Sequence, residues 1–267
     1  MKYVPGKNDG GTKKSLGQHW LHDESILEAI VQAGDVQSGD DVLEIGPGLG
    51  TLTQVLEGAG ANVTALEFDQ DLLQGLRKKF ANTSLVNIEQ GDVRTYDFTK
   101  MPAGYKVVAN IPYYLTSHLI RSMSESANQP AVAVLLIQQE VAERLCASPG
   151  DMGILSVTAQ FYFDCQLDVE VPARYFTPPP KVDSQVVVLT RRSAKLFDVD
   201  EQDFFRLVKA GFSEKRKTMR NSLSGGLGVA KESVEVMLKA AGLPVTARAQ
   251  ELSLEQWYDL YMRVSER

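Results

Sequence analysis

The chain has 267 residues, of which 43% are hydrophobic and 23% charged, with a net charge of −6. That length supports one large core and a smaller one, and the composition is that of a soluble globular protein. No apolar run reaches a membrane span. Two cysteines and three histidines, scattered along the chain, fit neither a disulfide scaffold nor a metal cluster, so Cys146 and Cys165 read as inert core thiols.

The charge is unevenly placed. From Arg191 onward 14 Lys+Arg meet 11 Asp+Glu, a net of +3, which leaves −9 on residues 1–190. Two surfaces with different partners are expected. Residues 1–14 are polar, glycine-rich and basic. They lack the apolar core of a signal peptide, so a mobile tail on a cytoplasmic protein is expected.

Gln18-His19-Trp20-Leu21 reads as a loop anchored by Trp20. Asp23 is placed to cap a helix whose apolar positions are Ile26, Leu27, Ile30 and Val31, closed by Gly34. Val42, Leu43 and Ile45 then make one short buried strand. Gly46, Gly48 and Gly50 follow at alternate positions, and helical spacing resumes at Leu52, Val55, Leu56 and Ala59. Strand, glycine turn and helix form the first half of a nucleotide-binding unit. A dinucleotide fingerprint would need glycine at position 51, which is Thr51. The G-x-G-x-G turn suits a ligand without a pyrophosphate, and so resembles S-adenosylmethionine (SAM) sites.

A second strand, Val63 to Phe68, carries Glu67 at its end, 19 positions beyond Gly48. A carboxylate there can accept both hydroxyls of a ribose. Asp69 caps the next helix, through Leu72, Leu73, Leu76 and Phe80. The third strand, from Val86, ends in Gly91-Asp92, a candidate acceptor for an adenine amino group. The fourth, Tyr105 to Ala109, runs into Asn110-Ile111-Pro112-Tyr113-Tyr114. Ligands in open α/β sheets bind beyond the carboxyl ends of the strands, which makes this motif a candidate site. Pro112 stiffens it and extends Ile111.

Ala131 to Ile137 reads as a central strand buried on both faces, and Gln138 to Ala147 as a helix. A long β stretch is expected from Met152 through Phe163 and Leu167. Residues 171–184 hold four prolines and read as a stiff loop presenting Tyr175 and Phe176. Gln185 to Arg191 is the seventh strand, expected to pair with the sixth as an antiparallel hairpin at the sheet edge. The remainder is helical. Phe204, Phe205, Val208 and Phe212 form a stripe, and Ser213 to Leu223 a short basic helix capped by Ser213 and broken by Gly225, Gly226 and Gly228. Val234, Met237 and Leu238 mark another helix, and Leu252 to Val264 the last. The expected organisation is a tail (1–14), an α/β domain with a Rossmann-like seven-stranded sheet (15–192) and a small helical domain (193–267).

With these residues in hand, the chain resembles the KsgA/RsmA family of rRNA adenine N6,N6-dimethyltransferases over nearly its whole length. The resemblance rests on Gln18-His19-Trp20-Leu21, Glu44 to Gly50, Glu67, Gly91-Asp92-Val93, Asn110-Ile111-Pro112-Tyr113 and Phe176 to Ser184. It also includes the helix around Arg216 to Asn221. His19 and Trp20 stand where the family more often has Asn and Phe. The resemblance implies a SAM-dependent methyltransferase in which His19, Leu21, Gly46, Gly48, Glu67, Asp92 and Asn110 line the cofactor pocket. It implies that Lys215, Arg216, Lys217 and Arg220 bind RNA. The implied substrate is two adjacent adenosines near the 3′ end of small-subunit (16S) rRNA, which links the enzyme to ribosome biogenesis; a monomer is expected.

The chemistry of the motif points the same way. An adenine amino group is a poor nucleophile because its lone pair is delocalised into the ring. The Asn110 side-chain carbonyl and a backbone carbonyl of the Ile111–Pro112 turn can accept its two N–H bonds, aiming the lone pair and stabilising the positive charge that develops. No strong base is needed. Tyr113 and Phe176 can stack on the extruded base. A related possibility is an Erm-type enzyme acting on 23S rRNA, against which Gly153-Ile154-Leu155-Ser156-Val157 and the Arg216–Asn221 helix weigh. A rival of another class is a non-catalytic ribosome-assembly factor on the same fold, which the intact Asn110–Tyr113 motif disfavours. A small-molecule or DNA adenine methyltransferase is disfavoured by the basic helical domain.

Overall fold

A computed structural model describes residues 18–214 and 216–265. The expected tail, and Lys215 with it, lie outside the described residues. Elements follow in chain order as β1 (Trp20–Leu21), α1 (Glu24–Ala33), β2 (Asp41–Ile45), α2 (Thr51–Gly58), β3 (Asn62–Glu67), α3 (Gln70–Lys79), β4 (Val86–Gln90), β5 (Lys106–Asn110), α4 (Thr116–Ser124) and β6 (Val132–Gln138). Then come α5 (Gln139–Leu145), α6 (Ile154–Tyr162), β7 (Phe163–Val171), β8 (Phe176–Thr177), β9 (Ser184–Arg191), α7 (Glu201–Gly211), α8 (Met219–Leu227), α9 (Lys231–Ala240) and α10 (Leu254–Ser265).

Seven strands form one sheet in the order β4-β3-β2-β5-β6-β9-β7. The first five pair in parallel, and β9 runs antiparallel to β6. The turn between β2 and α2 sits at the reversal of strand order, where β2 pairs with both β3 and β5. The carboxyl ends of β2, β3 and β5 therefore lie side by side, bringing Ile45, Glu67 and Asn110 to one edge. The expected pairing of the sixth and seventh strands closes one end of the sheet, where β7 and β9 are neighbours and β7 is outermost.

The helices bury the stripes their spacing predicted. Asp23 caps α1 by accepting from the Ile26 amide at 3.2 Å, and Ile26, Leu27, Ile30 and Val31 are buried. Asp69 caps α3 in the same way, above buried Leu72, Leu73 and Leu76. In β6, Ala133 to Ile137 are all inaccessible, as a strand covered on both faces must be.

The chain divides into two compact units. One comprises the residues up to Ala142 together with Gln166–Arg191, and the other Glu143–Cys165 together with the chain from Arg192. The second unit has its own core, where Phe161, Phe204, Leu223, Leu238 and Trp257 are buried together.

Two expectations are corrected here. The β stretch expected from Met152 is a helix, α6, as far as Tyr162, and the strand begins at Phe163. Its β-branched and aromatic residues favour a strand locally, but packing of Val157 and Phe161 into the second core overrides propensity. Ser156 Oγ supports the helix start, accepting from the Gly153 amide (2.9 Å) and donating to the Arg144 carbonyl (2.5 Å). The basic helix begins at Met219, with Thr218 rather than Ser213 at its cap position, and runs through Gly225 and Gly226 to Gly228, whose φ is 69°. Among the described residues, Met219 is the first after Phe212 to be buried, and a short helix needs an apolar face to hold it. The residues around Arg216 form a turn.

Candidate active site

The sharp turn after β2 depends on its glycines. Gly46, Gly48 and Gly50 have φ of 70°, 58° and 70°, a left-handed region that costs glycine nothing. The Gly46 amide donates to the Leu66 carbonyl (3.0 Å), tying the turn to β3. Lys79 Nζ donates to the carbonyls of Leu49 (3.2 Å) and Gly50 (2.8 Å) from the other side. A Cβ at Gly48 would fall 2.2 Å from the Trp20 ring, whereas one at Gly46 would meet nothing nearer than the Asn110 carbonyl, 3.9 Å away. Trp20 thus closes one flank of the turn, whereas a Cβ at Gly46 would make only ordinary contact.

A cavity runs along this edge. It is lined by Gly46, Gly48, Glu67, Asp92 and Asn110, by His19 and Leu21, and by Phe176. The expected cofactor residues from β1 and the ends of β2, β3, β4 and β5 therefore meet in one place. The two loops are joined by a short ladder in which β1 pairs antiparallel with β8, Trp20 opposite Thr177 and Leu21 opposite Phe176. His19 Nδ1 lies 2.6 Å from the Pro178 carbonyl, and Thr51 Oγ1 donates to the Leu21 carbonyl at 3.0 Å.

Glu67 is buried. Its Oε2 accepts from the Gly48 amide (3.1 Å) and its Oε1 from the Asp69 amide (2.7 Å). Each oxygen keeps a second lone pair. Burial pushes the Glu67 carboxyl upward against these two hydrogen bonds. Asp92 is half-buried and held by Arg94, whose guanidinium also holds its carboxyl below the usual range. Asn110 Nδ2 donates to the His19 carbonyl over a long 3.4 Å, an orientation that points Oδ1 away from that carbonyl.

Phe176 does not stand out from its loop. It is only 3% exposed and belongs to the sheet's core cluster, because the β1–β8 ladder turns it inward, with one face reaching the cavity. Tyr113 opens the turn Tyr113–Leu115, and its side chain lies outside the described part of the structure. Arg216, Lys217 and Arg220 belong to the second unit. Arg216 and Lys217 are exposed, while Arg220 is half-buried and paired with Glu235 at 2.5 Å.

Four residues to which the sequence reading gave no role also line the cavity: Glu44, Phe68, Arg94 and Tyr114. Glu44 is fully buried, its Oε2 has no hydrogen-bond partner, and burial pushes its carboxyl up to about 8. The available signal was an acid set within the apolar run of Val42, Leu43 and Ile45. Phe68 and Tyr114 are 53% and 61% exposed, each following directly on a residue that the motifs marked. Acceptors at the ends of three strands, apolar walls from Ile45, Leu66 and Val93, and a turn whose Gly46 lines the cavity fit a nucleoside with a charged tail. Among the described residues no cluster of His, Cys, Asp or Glu could hold a metal.

Residues 11–266 match the family model described as "Ribosomal RNA adenine dimethylase". The chain is similar to "Ribosomal RNA small subunit methyltransferase A" of Dehalococcoides mccartyi, 40% identical over 249 residues, covering 92% of this chain and 86% of that protein. Among solved structures, a dimethyladenosine transferase from Plasmodium falciparum matches with a TM-score of 0.80 and 25% identity, covering 93% of this chain and 98% of that one. The 23S rRNA methyltransferase ErmE matches with a TM-score of 0.75 and 27% identity, over 92% and 99%.

Proposed function

This chain belongs to the ribosomal RNA adenine dimethylase family, and from that premise we propose that it uses SAM to dimethylate the N6 amino groups of two adjacent adenosines near the 3′ end of small-subunit rRNA. The observation that carries this reading is the convergence of Gly46, Glu67, Asp92 and Asn110 on one cavity at the sheet edge. The small subunit is favoured over the large one by the 40% identical relative, whose name specifies it, against 27% for ErmE.

Glu67 would receive the ribose hydroxyls on its remaining lone pairs, and Asp92 the adenine amino group. Bound SAM supplies a sulfonium methyl, electrophilic without further activation. The protein's task is then to prepare the nucleophile. Asn110 Oδ1 and a backbone carbonyl of the Ile111–Pro112 turn accept the two N–H bonds of the target amine, which turns its lone pair toward the methyl. The same acceptors stabilise the positive charge developing on nitrogen. Phe176 backs the target base from within the core, and the role of Tyr113 rests on its place in the motif. Arg216, Lys217 and, by the same reading, Lys215 and Arg220 meet RNA phosphates. The substrate is met in the cytoplasm, by a monomer.

The test is tritiated methyl transfer from SAM to undermethylated small subunits. Asn110→Ala is expected to abolish transfer while RNA binding survives. Near-normal turnover in that variant would overturn the mechanism.

A further inference from the structure

Both oxygens of Asp92 are engaged by Arg94. Its Oδ1 accepts from the Arg94 amide (2.9 Å) and from Arg94 Nε (3.0 Å). Its Oδ2 accepts from the same Nε (2.9 Å) and from Nη2 (2.5 Å). The single Nε–H is shared between the two oxygens, so three N–H groups of Arg94 engage both ends of the carboxylate, which offers about four lone-pair positions. An incoming amino group therefore competes with Arg94 at either oxygen. The backbone amide is fixed by the chain, so the guanidinium is the group that can leave. Arg94 is free to do so: its side chain is 52% exposed, it lines the mouth of the cavity, and no other ion pair holds it among the described residues.

We propose that Arg94 is a gate on the adenine end of the cofactor pocket, occupying Asp92 until an N6 amino group replaces its guanidinium. This rests on the assignment of Asp92 as the adenine acceptor. The gate makes adenosyl recognition an exchange of donors at one carboxylate. It weakens adenosyl binding, because the exposed pair must be broken. It also changes selectivity. A 6-oxo purine presents an acceptor instead of a donor; Asp92 repels it, but a guanidinium that stays in place can donate to it. Arg94 therefore tolerates the oxo base that Asp92 alone would reject.

The experiment is calorimetric binding of S-adenosylhomocysteine and of S-inosylhomocysteine, which carries oxygen in place of the amino group, to wild type, Arg94→Ala and Arg94→Lys. An exposed pair of this kind contributes little, because water and salt screen it. Arg94→Ala should accordingly bind S-adenosylhomocysteine about 1.5- to 5-fold more tightly. It should bind S-inosylhomocysteine no more tightly than wild type, so the ratio of the two affinities rises. Arg94→Lys, which keeps the charge without the fork, should fall between them. Added salt should tighten adenosyl binding in wild type and not in Arg94→Ala. Unchanged S-adenosylhomocysteine affinity in Arg94→Ala, or equal tightening of both ligands, overturns the gate. Wild type that fails to bind S-adenosylhomocysteine, or an Arg94→Ala protein that binds both ligands equally, overturns the assignment of Asp92 itself and the gate with it.

Discussion

At the scale of single residues, the site places its carboxylates in different environments and so separates their behaviour. Asp92 is kept ionised by Arg94, whereas burial raises Glu67 and pushes Glu44 to about 8 from the usual 4.5. A carboxyl raised in the folded state holds its proton longer than the unfolded chain does. Its contribution is complete below the unfolded value and is lost as pH rises toward the folded one. Wild type should therefore lose stability between about pH 4.5 and 8, by at most about 1.4 kcal/mol per unit for Glu44. Glu44→Gln, neutral at every pH, should lose most of that slope, with Glu67 retaining some of it. Melting temperatures of the two proteins across that range decide it; parallel curves would show that Glu44 is ionised throughout.

At the scale of elements, two neighbouring glycines in α8 have opposite reasons to be there. A Cβ at Gly226 would meet the Ala210 Cβ at 2.6 Å and its Cα at 2.8 Å, so glycine lets α8 approach α7. A Cβ at Gly225 would meet nothing within 4 Å. Gly226→Ala should destabilise by about 1–3 kcal/mol through overpacking. Gly225→Ala should stabilise by about 0.5–1 kcal/mol, since alanine loses less entropy in a helix. Denaturant midpoints moving in the same direction would refute this account of the helix pair. In the sequence both glycines read as breakers, because glycine spacing alone does not distinguish a helix end from a close helix crossing.

At the scale of the molecule, no helix among the described residues is long and apolar enough to cross a membrane, and an acidic chain must meet an acidic polymer through local charge. Arg216 and Lys217 are exposed in the turn before α8. Neutralising both should flatten the salt dependence of binding to small subunits by ~0.7–0.9 log units for each phosphate that is no longer neutralised. SAM affinity should not change. Filter binding across a salt series, with calorimetry as control, checks both halves, and an unaltered salt slope would mean that the turn touches no phosphate.

Much of this was legible in the amino-acid sequence because it is local. The strand, the glycine turn, the Asp23 and Asp69 caps and the acidic or amide residue ending each strand depend on spacing and on backbone preferences within a few positions. Glu67, Asp92 and Asn110 could be named for that reason. What the sequence did not contain was who lies next to whom. The run from Ile154 to Tyr162 has strand-like composition and became a helix because a second core buried it. Phe176 turned inward because a two-residue strand more than 150 positions earlier in the chain pairs with it. Glu44 could be seen as an acid within an apolar run, but its shifted carboxyl comes from burial, and burial is decided only when the sheet and its helices close around it.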